Sequence, residues 1–199
     1  ICGGTGFYID AVVDGVTLPE VPPNLKLRET LGKKSAEDLL KILIKLDSVR
    51  AENIDVKNKV RLIRAIEIAK VLGKVPKIKQ NTQYEVLKIG LTIPDEILKE
   101  RIHTRLLARI KKGMLKEIGS LHKGGVSWRR MEMLGLEYRY GALHLQGRIT
   151  KQEMIEKLNT EIWHYAKRQK TWFKRDKNTI WIDPRKNNSK ILKVAKKFL

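Results

Sequence analysis

The 199-residue sequence predicts an α/β fold that is mostly helical and carries an incomplete parallel sheet. Three observations predict it. Short apolar segments with strand character fall near positions 1, 88 and 181, separated by stretches of helical periodicity, the arrangement that joins parallel strands through crossovers. The chain opens on an apolar stub that runs directly into Gly3-Gly4-Thr5-Gly6 and then a helical stretch, so it reads as strand–turn–helix with most of the strand removed. Three short strands are also few for this much helix, and a sheet lacking members accounts for both features.

The elements follow in order. A helix runs from the glycine turn to about Asp14, and Pro19, Pro22 and Pro23 mark a linker out of it. Residues 25–31 form a short helix. Ser35 caps another that reaches Leu46, with Asp38 in a capping-box-like position. A third spans 57–72, closed by Gly73 and followed by Pro76. Residues 20–79 therefore read as a small helical unit bounded by Pro-containing segments, with residues 1–19 and 80–199 forming the α/β part around it. In the core, 84–93 alternates as a strand that Pro94 ends, and a long helix covers 95–121. After the Gly124-Gly125 loop come helices over 131–143 and 150–174, a strand over 179–182 and a terminal helix over 190–198.

Composition narrows the partners. The chain holds 42 Lys and Arg against 22 Asp and Glu, a net charge of +20, with 42% hydrophobic residues that can build a core. This excess attracts polyanions, nucleic acid first and an anionic membrane surface second. A membrane span is not predicted: the greasiest stretch, 38–46, contains Lys41 and Lys45 and is far shorter than the roughly 18–20 residues required. No signal-peptide pattern is present. With Cys2 as the one cysteine, no internal disulfide and no thiolate cluster for zinc can form, and the cytoplasm is the expected compartment.

The positive charge is patterned. Arg101, Arg105 and Arg109 step by four along one helix face, beside an expected buried stripe of Leu107, Ile110, Met114, Ile118 and Leu121. Aligned guanidinium groups suit a phosphate or pyrophosphate clamp, because each offers a planar bidentate fork. A solvated face neutralised by acids elsewhere is the other reading the pattern leaves open. Lys57, Arg61 and Arg64 repeat the arrangement on the helix over 57–72. The segment from Trp163 to Arg175 places Lys167, Lys170 and Lys174 on one face, with Arg168 and Arg175 beside them. Its stripe of Ile155, Leu158, Ile162, Tyr165 and Trp172 reads as core. Such a helix can contact phosphates. His103, His122, His144 and His164 show no ligand spacing, so no metal site is assigned to them. Glu137 is a candidate acid, with surface pairing to Arg139 or Arg130 as its alternative. No Walker A loop occurs in the chain; Gly32-Lys33-Lys34-Ser35 lacks the upstream glycine and a hydroxyl residue directly after Lys33.

Four segments, taken in order, resemble the tRNA dimethylallyltransferase (tRNA isopentenyltransferase) family. They are Gly3-Gly4-Thr5-Gly6-Phe7-Tyr8-Ile9-Asp10; Asn58-Lys59-Val60-Arg61-Leu62-Ile63-Arg64-Ala65-Ile66-Glu67; Arg101-Ile102-His103-Thr104-Arg105 with Gly113-Met114-Leu115-Lys116-Glu117-Ile118; and Ala166-Lys167-Arg168-Gln169-Lys170-Thr171-Trp172-Phe173. Gly135-Leu136-Glu137-Tyr138 adds a fifth. The resemblance implies a fold similar to P-loop kinases with a helical insertion. It also implies transfer of a dimethylallyl group from dimethylallyl pyrophosphate to N6 of an adenine beside the tRNA anticodon.

By position, Arg101 looks like the family's reaction-site and pyrophosphate-binding arginine, with Arg105 beside it. Thr5, Lys26, Arg61, Arg64, Gly135, Lys167 and Arg168 look like tRNA contacts. The resemblance also implies nucleotide binding by a P-loop, Mg²⁺, the anticodon stem-loop as partner and a monomer. The family's P-loop, its general base and the Mg²⁺ site are expected in a segment N-terminal to the glycine turn. The chain thus resembles the C-terminal two-thirds of the enzyme, and the 199 residues alone are expected not to turn over. Two other readings stay open: a non-catalytic basic RNA-binding module or remnant, and a P-loop kinase relative acting on a nucleotide.

Overall fold

The computed structural model describes residues 1–77 and 84–199. The chain forms two compact units, Phe7–Glu85 and a second made of Ile1–Gly6 with Val86–Leu199. The expected boundary at the Pro19–Pro23 linker is therefore displaced to Gly6, where helix α1 (Gly6–Val13) begins. Prolines stiffen a chain locally, whereas unit membership follows from which side chains pack together. The other expected boundary, 79/80, lies outside the described residues.

The unit Phe7–Glu85 is helical. After α1 come α2 (Leu25–Gly32), α3 (Ala36–Leu46), a short α4 (Ser48–Glu52) that the sequence reading did not separate, and α5 (Lys59–Leu72). Side-chain caps begin four of these helices. Asn24, Ser35, Asp47 and Asn58 each accept a hydrogen bond from a main-chain N–H of the first turn, at 2.9–3.2 Å. Asp47 also accepts, through its other oxygen, from the Val75 N–H at 2.8 Å. Both bonds hold its carboxyl below the usual range, that from Arg50 most strongly. Leu31, Leu39, Leu43, Ala51, Leu62, Ala65 and Ile66 make the core. Lys57 precedes the Asn58 cap, so it lies outside the helix that carries Arg61 and Arg64.

The second unit contains β1 (Ile89–Leu91), α6 (Asp95–Lys111), α7 (Met114–Lys123), α8 (Trp128–Leu134), α9 (Leu136–Leu145), α10 (Lys151–Phe173), β2 (Ile180–Ile182) and α11 (Pro184–Phe198). The two strands are parallel, with Ile89 opposite Ile180, Gly90 opposite Trp181 and Leu91 opposite Ile182. The α/β class and the parallel pairing are as expected. A strand at the N-terminal stub is not formed, and the strand over 84–93 contracts to three residues because a ladder extends only as far as its partner. Leu106, Met114, Ile118, Met131, Ala142, Met154 and Leu158 form the core, drawn from α6 to α10. Thr150 starts α10 with a full capping box to Glu153.

Two expected helices are each broken at a glycine. The helix over 95–121 stops at Lys111 and restarts at Met114, because Gly113 takes φ +102°, a left-handed conformation that L side chains resist. Gly135, at φ +154°, likewise separates α8 from α9 within the stretch expected as one helix over 131–143. The buried face also differs from the expected stripe: in α6 it is Ile102 and Leu106 that are buried, whereas Leu107, and Leu121 in α7, are exposed. Tyr165, expected in the core, is also exposed. Among the described residues no helix is long and apolar enough to cross a membrane.

Candidate nucleic-acid and pyrophosphate site

Helices α6 and α10 pack antiparallel, and the rungs of the seam can be read off in order. Asp95 accepts from Lys170 Nζ at 2.6 Å, Lys99 Nζ lies 5.3 Å from the Trp163 ring, and Asn159 Nδ2 meets His103 Nδ1 at 3.0 Å. The Lys170 ammonium bonded to Asp95 is the main cause holding that carboxyl below its ordinary range. Lys167 Nζ lies 5.5 Å from the same indole, so two ammonium groups neighbour Trp163. At about 100° per residue, Arg101 and Arg105 then project away from this seam, on the solvent side of α6. All three aligned arginines are exposed.

Their pairing differs. Arg109 Nη1 donates to Glu137 Oε1 at 2.8 Å, tying α6 to the first turn of α9. Among the described residues, Arg101 and Arg105 form no ion pair. Neutralisation stops one helical turn short of them, which leaves two adjacent guanidinium forks with unused donors. Gly135, directly before α9, is exposed, and an added side chain there would meet no atom within 4 Å. Tyr138 donates its hydroxyl to Glu117, and that bond raises the phenol above its usual range.

The glycine turn lies on a different face of α10. Thr5 Oγ1 and Tyr165 Oη are 3.4 Å apart, and a methyl group added at Gly4 or Gly6 would overlap the side chains of Gln169 or Trp172. Absent side chains at those two positions are what allow Thr5 to lie against the helix. The hydrogen bond with Thr5, then that with Gln169, lowers the Tyr165 phenol, and the Arg168 cation adds to the effect. Arg168 sits over the Tyr165 ring at 5.8 Å, and Arg175 over Trp172 at 3.8 Å. Tyr165 is about 200° around α10 from Trp163. The structure therefore joins Thr5 with Arg168, and Lys167 with Trp163, and it sets Arg101 and Arg105 on a separate face.

In the unit Phe7–Glu85, Lys26 is exposed beside an open groove of ≈ 730 Å³ that Glu67 and Lys70 also line. Arg61 is exposed, 3.8 Å from Asp55. Arg64 is differently used. Its Nη1 donates to Glu67 at 2.6 Å, and Glu67 also accepts from Arg28 Nε at 3.0 Å, Arg28 Nη2 at 2.8 Å and the Asn24 N–H at 2.6 Å. The Glu67 side chain is 1% exposed, and these bonds, Arg28's foremost, hold its carboxyl at about 2.

Sequence reading missed the roles of Glu67, Trp163 and Tyr165. A lone acid inside Ala65-Ile66-Glu67-Ile68-Ala69 was the available signal for the first. The other two depend on which face of α10 each neighbour covers. His122 stacks on Trp128 at 3.7 Å with Nδ1 3.0 Å from Val126 O, and His144 Nδ1 is 3.1 Å from Ile149 O. Among the described residues no group of three His, Cys, Asp or Glu side chains could hold a metal ion, so no residue here is assigned to Mg²⁺.

Residues 1–176 match the family model described as IPP transferase. The chain is 43% identical over 188 residues to tRNA dimethylallyltransferase 2 of Treponema denticola, covering 91% of this chain and 63% of that protein. It is 40% identical over 188 residues to tRNA dimethylallyltransferase 2 of Trichlorobacter lovleyi, covering 92% and 62%. Among solved structures, the full-length tRNA isopentenylpyrophosphate transferase of Bacillus halodurans is 28% identical with a TM-score of 0.62, covering 98% of this chain and 64% of that one. The chain thus spans slightly under two-thirds of the length of the relatives it matches. Matched over 176 of its 199 residues, the chain belongs to the IPP transferase family.

Proposed function

We propose that the chain is the tRNA-binding and pyrophosphate-contacting portion of an enzyme that transfers a dimethylallyl group from dimethylallyl pyrophosphate to N6 of the adenine beside the tRNA anticodon. In that reaction the allylic C–O bond breaks, an N6–C bond forms, and the N6 proton passes to a base. Arg101 and Arg105 bind the pyrophosphate and stabilise the negative charge that develops on it as it leaves. Thr5, tethered to Tyr165, lies beside the extruded adenine, which must leave the stack to react. Lys167, Arg168 and Gly135 contact the tRNA, as do Lys26, Arg61 and Arg64 on the helical unit. Arg64 is the weakest of these, since Glu67 already engages it. The protein acts as a cytoplasmic monomer on the anticodon stem-loop.

The observation that carries this reading is the uneven neutralisation of the arginine row: Glu137 pairs with Arg109 and leaves Arg101 and Arg105 unpaired among the described residues. No Walker A loop occurs in the chain, so the 199 residues alone are expected to bind without turning over. Calorimetric titration of the chain with inorganic pyrophosphate tests the clamp. R101A and R105A should each weaken binding by about 10-fold or more, the effect of losing a charge-assisted contact, whereas R109A should cost less. Equal losses for all three, or no binding by the unaltered chain, would refute the assignment.

A further inference from the structure

The family match ends at residue 176, and helix α11 lies beyond it. No residue of α11 is buried, and Asn187 kinks it. Residues 184–199 carry Arg185, Lys186, Lys190, Lys193, Lys196 and Lys197 without a single Asp or Glu. Arg185 is neutralised locally, its Nε and Nη2 donating to Asp183 at 3.0 and 2.7 Å. None of the five lysines forms an ion pair among the described residues.

Beyond the kink the lysines gather on one side of the helix, although Leu192, Phe198 and Leu199 also stay exposed. Lys190, Lys193, Lys196 and Lys197 fall within an arc of about 120°, and Ile191, Val194, Ala195 and Phe198 lie across from them. Ile191, Val194 and Ala195 are half-buried, and α11 contacts β2. The middle of the apolar face is thus covered by the unit's own packing, and the lysine row is turned to solvent. Four like charges on adjacent turns repel one another and gain most from a linear array of anions. The row spans about 10 Å of helix axis, enough to face about two or three phosphates of one strand. A membrane surface fits less well, because a helix lying in a bilayer interface needs its apolar face free to insert.

We infer that α11 is an additional RNA-backbone contact, one that takes phosphates without reading bases and extends the binding surface past the family-matched region. The inference rests on RNA being the partner of this unit, as proposed above. The test is fluorescence anisotropy of a labelled anticodon stem-loop RNA titrated with the full chain across a salt series. Its key variant is K190Q/K193Q/K196Q/K197Q, which touches no buried residue. Far-UV circular dichroism checks its helicity. A charge-matched variant, K111Q/K112Q/K116Q/K123Q, controls for net charge.

The α11 variant should bind about 10-fold or more weakly and flatten the slope of log K against log salt by about 2, the loss of about two phosphate contacts. The control should change both less. An unchanged slope, or equal losses in both variants, would overturn the inference while leaving the proposed function intact. Failure of the unaltered chain to bind the RNA would overturn both. If the α11 substitutions abolish binding to phosphatidylserine vesicles and leave RNA binding untouched, α11 is a membrane-surface helix instead.

Discussion

Replacing Glu67 by Gln keeps the side-chain shape and removes the charge that Arg28, Arg64 and the Asn24 N–H converge on. The size of the effect follows from the carboxyl's position. Its pKa falls from 4.5 to about 2 in the folded chain, which corresponds to about 3.5 kcal/mol at about 1.4 kcal/mol per unit. Breaking a buried pair typically costs about 3–5 kcal/mol. Here Arg28 and Arg64 are 39% and 36% exposed and can recover hydration, which brings the cost to the bottom of that range or just below it, about 2–3 kcal/mol. The sign is set by a depressed acid: the stabilisation is present above about pH 4.5 and is lost as pH falls from there toward 2.

Urea unfolding of the full chain separates the two units. All four tryptophans, Trp128, Trp163, Trp172 and Trp181, lie in the α/β unit, so their fluorescence follows it alone, while far-UV circular dichroism reports both. Glu67→Gln should lower the dichroism transition that the tryptophans do not see, and should remove most of that transition's acid dependence between pH 4.5 and 2. A loss under about 1 kcal/mol at pH 7, with an unaltered acid profile, would refute the reasoning.

Three further outcomes follow from the packing. Gly6→Ala should displace the Trp172 indole, shift its emission and destabilise the α/β unit by about 1–3 kcal/mol, read by fluorescence-detected unfolding. Thr150→Ala removes the hydroxyl that accepts from the Glu153 N–H at 3.1 Å and should cost about 1 kcal/mol, with increased amide exchange in the first turn of α10 as the check. Gly113→Ala forces a methyl-bearing residue to φ +102° and should cost about 1–2 kcal/mol in the same unfolding assay, although no neighbour crowds the position.

Legibility differed by the range of the interaction concerned. The cap at Ser35 and the helices begun near Ser35 and Thr150 were readable, because cap chemistry and apolar periodicity act within a few residues; the parallel sheet was legible from the alternation of strand-like and helical stretches along the chain. The breaks at Gly113 and Gly135 were not, since a glycine inside a periodic stretch is compatible with a continuing helix until packing on both sides demands a turn. The family motifs likewise located Thr5, Arg101 and Arg168 along the chain without showing that Thr5 meets α10 on the face opposite the α6 seam.

The charge excess and the arginine spacing are properties of covalent order and helical pitch, present before the chain folds. Tertiary structure alone decided which of those charges are neutralised. Arg109 meets Glu137 across 28 positions of sequence and Arg64 is held by a carboxylate whose third partner, Arg28, comes from another helix, while Arg101 and Arg105 meet none among the described residues. Coulombic pairing depends on distance in space, and residues far apart in sequence acquire that distance only when the chain folds.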